Sequence, residues 1–295
     1  MQGKESKSDK IFLFFIYLTC AIMIFIVAYP LYFVLIASFS SPEAVVTGEV
    51  VWRPIGFNFE SYKLILDESK IWIGYKNTII YTVVGTILNV FLTTLAAYPL
   101  SRKNMPCRTL FTFIIAFTML FSGGMIPIYL VVKSLGLTDT IWAMVIPNAI
   151  ATYNLLVMKS YFQNSIPEEL IEAGEIDGCN EFRTLKDVVL PLSKPIMAVI
   201  LLFYAVGHWN AYFNALIYLR EQSLYPLQVI LREILLQNDI SAAGGLDTTG
   251  MYEKMMQGES MKYSIILISS LPVMLLYPLV QKHFVKGVMV GAIKG

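Results

Sequence analysis

Six stretches of this 295-residue chain contain no Asp, Glu, Lys or Arg: 11–42, 77–101, 109–132, 140–158, 195–219 and 263–281. About 20 mostly apolar residues, rising 1.5 Å each, span the hydrocarbon of a bilayer as a helix. One such run fits the buried helix of a soluble protein. Six, separated by polar loops, do not. Charged residues make up 15% of the chain, against about 25% in an ordinary soluble domain. Hydrocarbon offers no partner to a free backbone N–H or C=O, so helices are the natural spans. The expectation is an all-α, polytopic membrane protein. Residues 1–295 form one transmembrane domain with six helices, near 11–39, 73–100, 109–132, 140–161, 195–219 and 263–284.

Sidedness follows from the basic residues. With the N-terminus inside, 13 of the 22 Lys and Arg fall in inside segments, with "SRKNMPCR" the clearest cluster. The bias places both termini in the cytoplasm of a multi-pass cell-membrane protein. The first run is too long for a signal peptide and lacks a small-x-small cleavage site. Cys20, Cys107 and Cys179 are odd in number and fall in a span and two inside loops, which argues against a disulfide. No His/Cys cluster points to a metal, and His208 and His283 are isolated. A net charge of +1 gives no sign of nucleic acid, and none is expected as a partner.

Between the runs lie three informative segments. After the first, "SSPEAVVTGEVVWRPIGFNFESYKLILDESK" has turn residues and then an amphipathic piece, "FESYKLIL". Within the third, "FSGGMIP" predicts a bend or a close helix contact. After the fifth, the extracytoplasmic segment 220–262 contains a helical "LYPLQVILREILLQND" and a flexible "SAAGGLDTTG".

The most polar helix-forming stretch is the inside loop 163–192. "SIPEELIEAGEIDGC" predicts a helix with Ser165 at its N-cap, Pro167 in its first turn and Glu168 and Glu169 at the positive end of its dipole. Gly178 turns the chain, and "NEFRTLKDVVLPL" predicts a second helix broken by Pro191 and Pro195. A helix lying on anionic lipid should be basic. This one is acidic, through Glu168, Glu169, Glu172, Glu175 and Asp177. It suits a protein socket.

This loop resembles the cytoplasmic signature of ATP-binding-cassette importer permeases: Glu-Ala-Ala, three residues, Gly, nine residues, Ile, one residue, Leu-Pro. Here the frame reads Glu172-Ala173-Gly174, Gly178, Val188, Leu190-Pro191, with the spacing intact and two conservative replacements. The resemblance implies the type I importer permease fold and a coupling helix that docks on an ATPase subunit. Pro167, Glu172, Ala173, Gly174, Asp177, Gly178, Leu190 and Pro191 would make that coupling site. It implies two ATP-binding subunits, a second permease subunit forming a heterodimer, and an extracytoplasmic solute-binding protein. The chain has no G-x-x-x-x-G-K-[ST] loop. ATP and Mg therefore belong to the partner ATPases, and this chain is a transport subunit with no cofactor and no catalytic residue of its own.

"WNAYFNALIYL" (209–219), "YPLQVILREIL" (225–235) and the tail "KGVMVGAIKG" (286–295) are similar to the carbohydrate branch, the MalG-like permeases. The resemblance implies import of a sugar, within a subgroup linked to plant- or polymer-derived oligosaccharides. Sugar sites pair aromatic faces with neutral amides and hydroxyls. Trp209, Asn210, Tyr212 and Asn214, with Asn148, Tyr153, Asn154 and Asn89, are the candidate pathway residues. Against this stand interfacial aromatic belts and Asn as helix glue. An importer for polyamine or phosphate is the alternative within the class. A secondary transporter would need intramembrane carboxylates, and none lies in the charge-free runs. An intramembrane enzyme would need a metal or nucleophile motif, and none is present.

Overall fold

The computed structural model describes residues 7–243, 256, 258, 261–276 and 278. Among them there is helix and no strand. In chain order the helices are α1 (Lys7–Ser38), α2 (Pro42–Val46), α3 (Glu60–Asp67), α4 (Ser69–Ser101), α5 (Arg108–Leu120), α6 (Met125–Ser134), α7 (Ile141–Val145), α8 (Thr152–Ser165), α9 (Glu168–Ile176), α10 (Glu181–Leu192), α11 (Lys194–Trp209), α12 (Phe213–Tyr218), α13 (Leu227–Ala243) and α14 (Met261–Leu276). The expected loop at 244–250, His283 and the glycine-bearing tail lie outside the described residues.

The apolar runs become helices, but not six straight ones. By length and composition, Ser8–Ser38 and Ser69–Ser101 suffice to cross a membrane, and up to four spans result if each sharply bent pair counts as one. "FSGGMIP" bends as predicted: α5 and α6 meet at 113°. The fourth run is split into α7 and α8 around Pro147, whose ring and missing N–H disfavour helix continuation. The fifth stops at Trp209 and resumes at Phe213.

The chain divides into two compact units. In the first, residues 1–68 with 231–270, α1 leads into a turn region closed by aromatic contact. Phe39 stacks on Phe57 and Tyr62, and Tyr62 Oη donates to Ser38 Oγ at 2.7 Å.

In the second unit α4 is the central element, packed on α8 and α11. Its buried face carries Asn77, Thr78, Thr86, Asn89, Thr93 and Thr94, and several of them bond to neighbouring elements of the bundle. Thr93 and Tyr204 hydroxyls lie 2.6 Å apart, and Tyr204 Oη accepts from the backbone N–H of Ala151 at 3.0 Å, which fixes the start of α8. Asn89 Nδ2 lies 2.9 Å from His208 Nε2. His208 fits there because residue 85 is glycine: a Cβ at that position would overlap the imidazole. Gly85→Ala is therefore expected to cost about 1–3 kcal/mol, read as a lowered Tm in detergent, with part of the loss recovered in Gly85→Ala/His208→Ala.

Candidate functional site: the charged projection between α8 and α11

Residues 166–193 leave the helical bundle and return to it. Ser165 does not cap α9; it closes α8, and Pro167 occupies the cap position without a side-chain bond. The cause is the X-Pro pair. A proline pushes the preceding residue into extended backbone, and Ile166 is extended (φ −106°, ψ 116°) with its side chain buried. From this anchor α9 starts with Glu168 and Glu169, which suit the positive end of the helix dipole.

The end of α9 is a Schellman turn. Gly178 N–H donates to Glu175 O at 3.0 Å, and Cys179 N–H to Gly174 O at 2.9 Å. Gly178 has φ +77°, a left-handed conformation that costs most L-residues about 1 kcal/mol or more. Asn180 then caps α10, its Oδ1 accepting from Arg183 N–H at 2.9 Å. α10 contains a π turn over Leu185–Val189. Pro191 rides in its last turn, Ser193 marks the break, and Pro195 opens α11 at 86° to α10.

One face of this pair is sunk in the bundle. Ile166, Ile171, Leu185 and Val189 join Ala97, Tyr98, Met158, Phe162, Ile196 and Ile200 in a single apolar cluster, and Leu190 packs beside it. Gly174 is buried between α9 and α10, where a Cβ would sit 3.8 Å from Thr184 Oγ1. That is ordinary contact, so alanine fits there equally well. The opposite face is open. Pro167, Glu172, Ala173, Asp177, Gly178 and Pro191 are exposed, and a Cβ at Gly178 would meet nothing within 4 Å. Apolar groups stand among these acids: Ile176 is 87% exposed, Phe182 69% and Leu170 45%.

The projection is also tied down by polar bonds from the C-terminal end of α4. Tyr98 Oη donates to Glu181 Oε2 at 2.5 Å, Arg102 pairs with Glu175 at 3.1 Å, and Lys103 pairs with Glu168. Sequence reading missed all three. It also missed Ile176, Leu170 and Phe182, although an isolated apolar residue among acids is a signal that could have found them.

A family described as the binding-protein-dependent transport system inner membrane component matches residues 89–290, a range that contains this projection. The chain belongs to this family. The polygalacturonan/rhamnogalacturonan transport system permease protein YtcP of Bacillus subtilis (strain 168) is 41% identical over 271 residues, covering 90% of this chain and 92% of that one. Protein LplC of the same organism is 40% identical over 266 residues, covering 90% and 89%. Among solved structures, a bacterial ABC transporter involved in the import of the acidic polysaccharide alginate has a chain 34% identical to this one, with a TM-score of 0.83 over 96% of this chain and 100% of that chain. The fold is that of a type I importer permease, and the chain is a transport subunit.

Of the candidate pathway residues, Asn89 and Asn148 meet beside His208, which directly precedes Trp209 and Asn210 in the chain. Asn89 is buried and joins His208, with a longer contact of 3.5 Å to the backbone oxygen of Asn148. Trp209 is buried with Tyr75, ring centroids 6.2 Å apart. Asn210 closes α11 and donates back to Val206 O at 3.0 Å. Asn154 is buried, Asn214 is half-buried, and Tyr153 and Tyr212 are exposed. The Nδ2 groups of Asn89 and Asn210 thus bond within the protein, whereas Asn89 Oδ1 is buried without a partner.

Tyr98 is 6% exposed, and its bond to a carboxylate is worth about 1.5–3 kcal/mol. Tyr98→Phe is expected to lower stability by that order, measured as the shift in Tm of the detergent-purified chain, while leaving the apolar packing in place.

Proposed function

We propose that this chain is one of two permease subunits of an ATP-driven importer for a polymer-derived oligosaccharide, and that α9 is its docking element for an ATPase subunit. The observation that carries the docking reading is Ile176, 87% exposed beside the left-handed Gly178 at the end of α9, on a projection whose opposite face is packed and bonded. A rigid handle is needed if closure of two partner ATPases is to bias the membrane segments between two states. Glu172, Ala173, Asp177 and Gly178 line the open side and meet the socket. Gly174 and Leu190 hold the handle's shape. ATP and Mg are bound by the partner ATPases, not here.

The substrate class is supported by what the similar proteins are named for: one a polygalacturonan/rhamnogalacturonan system, another an alginate importer. Both polymers are acidic. The apolar runs at 77–101 and 195–219 hold aromatic rings, amides and hydroxyls but no Lys or Arg. They suit the neutral hydroxyl and C–H faces of a sugar, and recognition of its carboxylates falls to the second permease or the solute-binding protein. The acidic α9 lies on the cytoplasmic side with both termini, and 220–262 faces the solute-binding protein.

Two experiments test this reading. Tagged chain purified from its native membranes in mild detergent is expected to bring down an ATPase, a second permease and a solute-binding protein. That binding protein should take oligogalacturonides in preference to neutral oligosaccharides of equal length. Recovery of the chain alone would overturn the importer reading. Gly178→Asp leaves the chain in the membrane, since the space around residue 178 is open and Asp tolerates positive φ better than most residues. Uptake is expected to fall about tenfold or more, the effect of about 1.4 kcal/mol lost at docking. Uptake at the wild-type rate would sink the docking role of α9.

A further inference from the structure

The two ends of α4 hold two different segments. At its C-terminal end Tyr98, and in the turn just past it Arg102 and Lys103, bond Glu181, Glu175 and Glu168 on α10 and α9. Near its N-terminal end Asn77 Nδ2 donates to Ser223 O at 2.8 Å and to Tyr225 O at 3.1 Å. Tyr81 Oη donates to Leu224 O at 2.7 Å, and Thr78 Oγ1 accepts from Leu227 N–H at 2.8 Å. Three side chains therefore seize the backbone of 223–227, the turn that leads into α13. Gly74 lets this segment lie directly on the helix, because a Cβ there would come within 2.9 Å of Leu227 Cα.

These two sets of bonds are 21 residues apart, from Asn77 to Tyr98, or about 32 Å along an α-helix. α4 runs unbroken between them. The neighbouring segments do not: α5 and α6 bend by 113°, and α10 and α11 by 86°. A continuous helix transmits tilt and rotation from end to end, whereas a break absorbs them. Bonds to backbone oxygens and a backbone N–H fix the position of the turn itself, not merely of a side chain on it.

We infer that α4 is a rod that carries displacement of α9 to the turn at 222–227, with Tyr98, Arg102 and Lys103 as positioning residues at one end and Asn77, Thr78 and Tyr81 at the other. The inference rests on the docking of α9 proposed above. It adds that the turn reports the state of the ATPases to the far side of the membrane.

Hydrogen–deuterium exchange on the purified complex in lipid nanodiscs, with and without ATP and vanadate, tests it. In the wild type both 168–178 and 222–227 are expected to change exchange rate by about threefold or more on trapping. Arg102→Glu should abolish the change at 222–227, and Arg102→Glu/Glu175→Arg should restore it, a rescue that a merely destabilised bundle would not show. Asn77→Ala, at the other end, should keep the response at 168–178 and lose it at 222–227. No change at 168–178 in the wild type would defeat the docking reading itself. A change at 168–178 alone in the wild type, or a response at 222–227 that survives both Arg102→Glu and Asn77→Ala, would overturn the rod while leaving docking intact. If Arg102→Glu does not assemble, Lys103→Glu and its partner swap Lys103→Glu/Glu168→Lys take its place.

Discussion

The contact of His208 with Asn89, made possible by the missing side chain at Gly85, sets the geometry of the larger unit. Apolar packing alone does not fix how two membrane helices meet, because lipid tails are as oily as the helices they would replace. A buried amide facing an imidazole does fix it. The bond is directional, and both groups lose it if either helix slides or turns. With α4 and α11 set in this way, Tyr204 reaches both Thr93 and the backbone N–H of Ala151, the cap residue of α8. The apolar cluster under α9 and α10 can then close. The projection inherits its position from a contact well inside the bundle.

What could be read from the sequence was whatever depends on short-range order. Charge-free runs became helices, the glycines of "FSGGMIP" a bend, "FESYKLIL" the helix α3, and Gly178 a left-handed turn between two short helices. The misreadings came where a neighbour or a distant residue decides. Ser165 has the chemistry of a cap, but the Ile166-Pro167 pair forces extended backbone after it. Pro147 splits a run that composition treats as continuous. His208 looked isolated because its partners Asn89 and Gly85 lie more than a hundred residues away. The ties from Tyr98, Arg102 and Lys103 join residues separated by 65 to 83 positions. No local pattern records such pairings. The basic cluster read as a marker of sidedness is also structural, since Arg102 and Lys103 hold α9.

Of the frame that first marked the projection, the residues divide by direction. Gly174 and Leu190 point inward and set the spacing of the two short helices, and Glu172, Ala173, Asp177 and Gly178 are open to solvent. A spacing rule in sequence thus mixes shape and contact. The replacement of alanine by glycine at 174 is neutral for shape, which explains why the frame tolerates it.

The three ties on the projection differ in their exposure to water. Lys103 and Glu168 are 72% and 39% exposed at the side chain, and Arg102 and Glu175 12% and 48%, whereas Tyr98 is buried. Mobile ions screen charges in the open within about 8 Å at physiological ionic strength, and they weaken the part-buried bond between the Tyr98 hydroxyl and Glu181 less. As ionic strength rises, the start of α9 loosens first and the grip at Glu181 persists. The projection stays seated on its apolar cluster and loses only its outermost tie, so a permease built in this way would grow slack in brine before it failed.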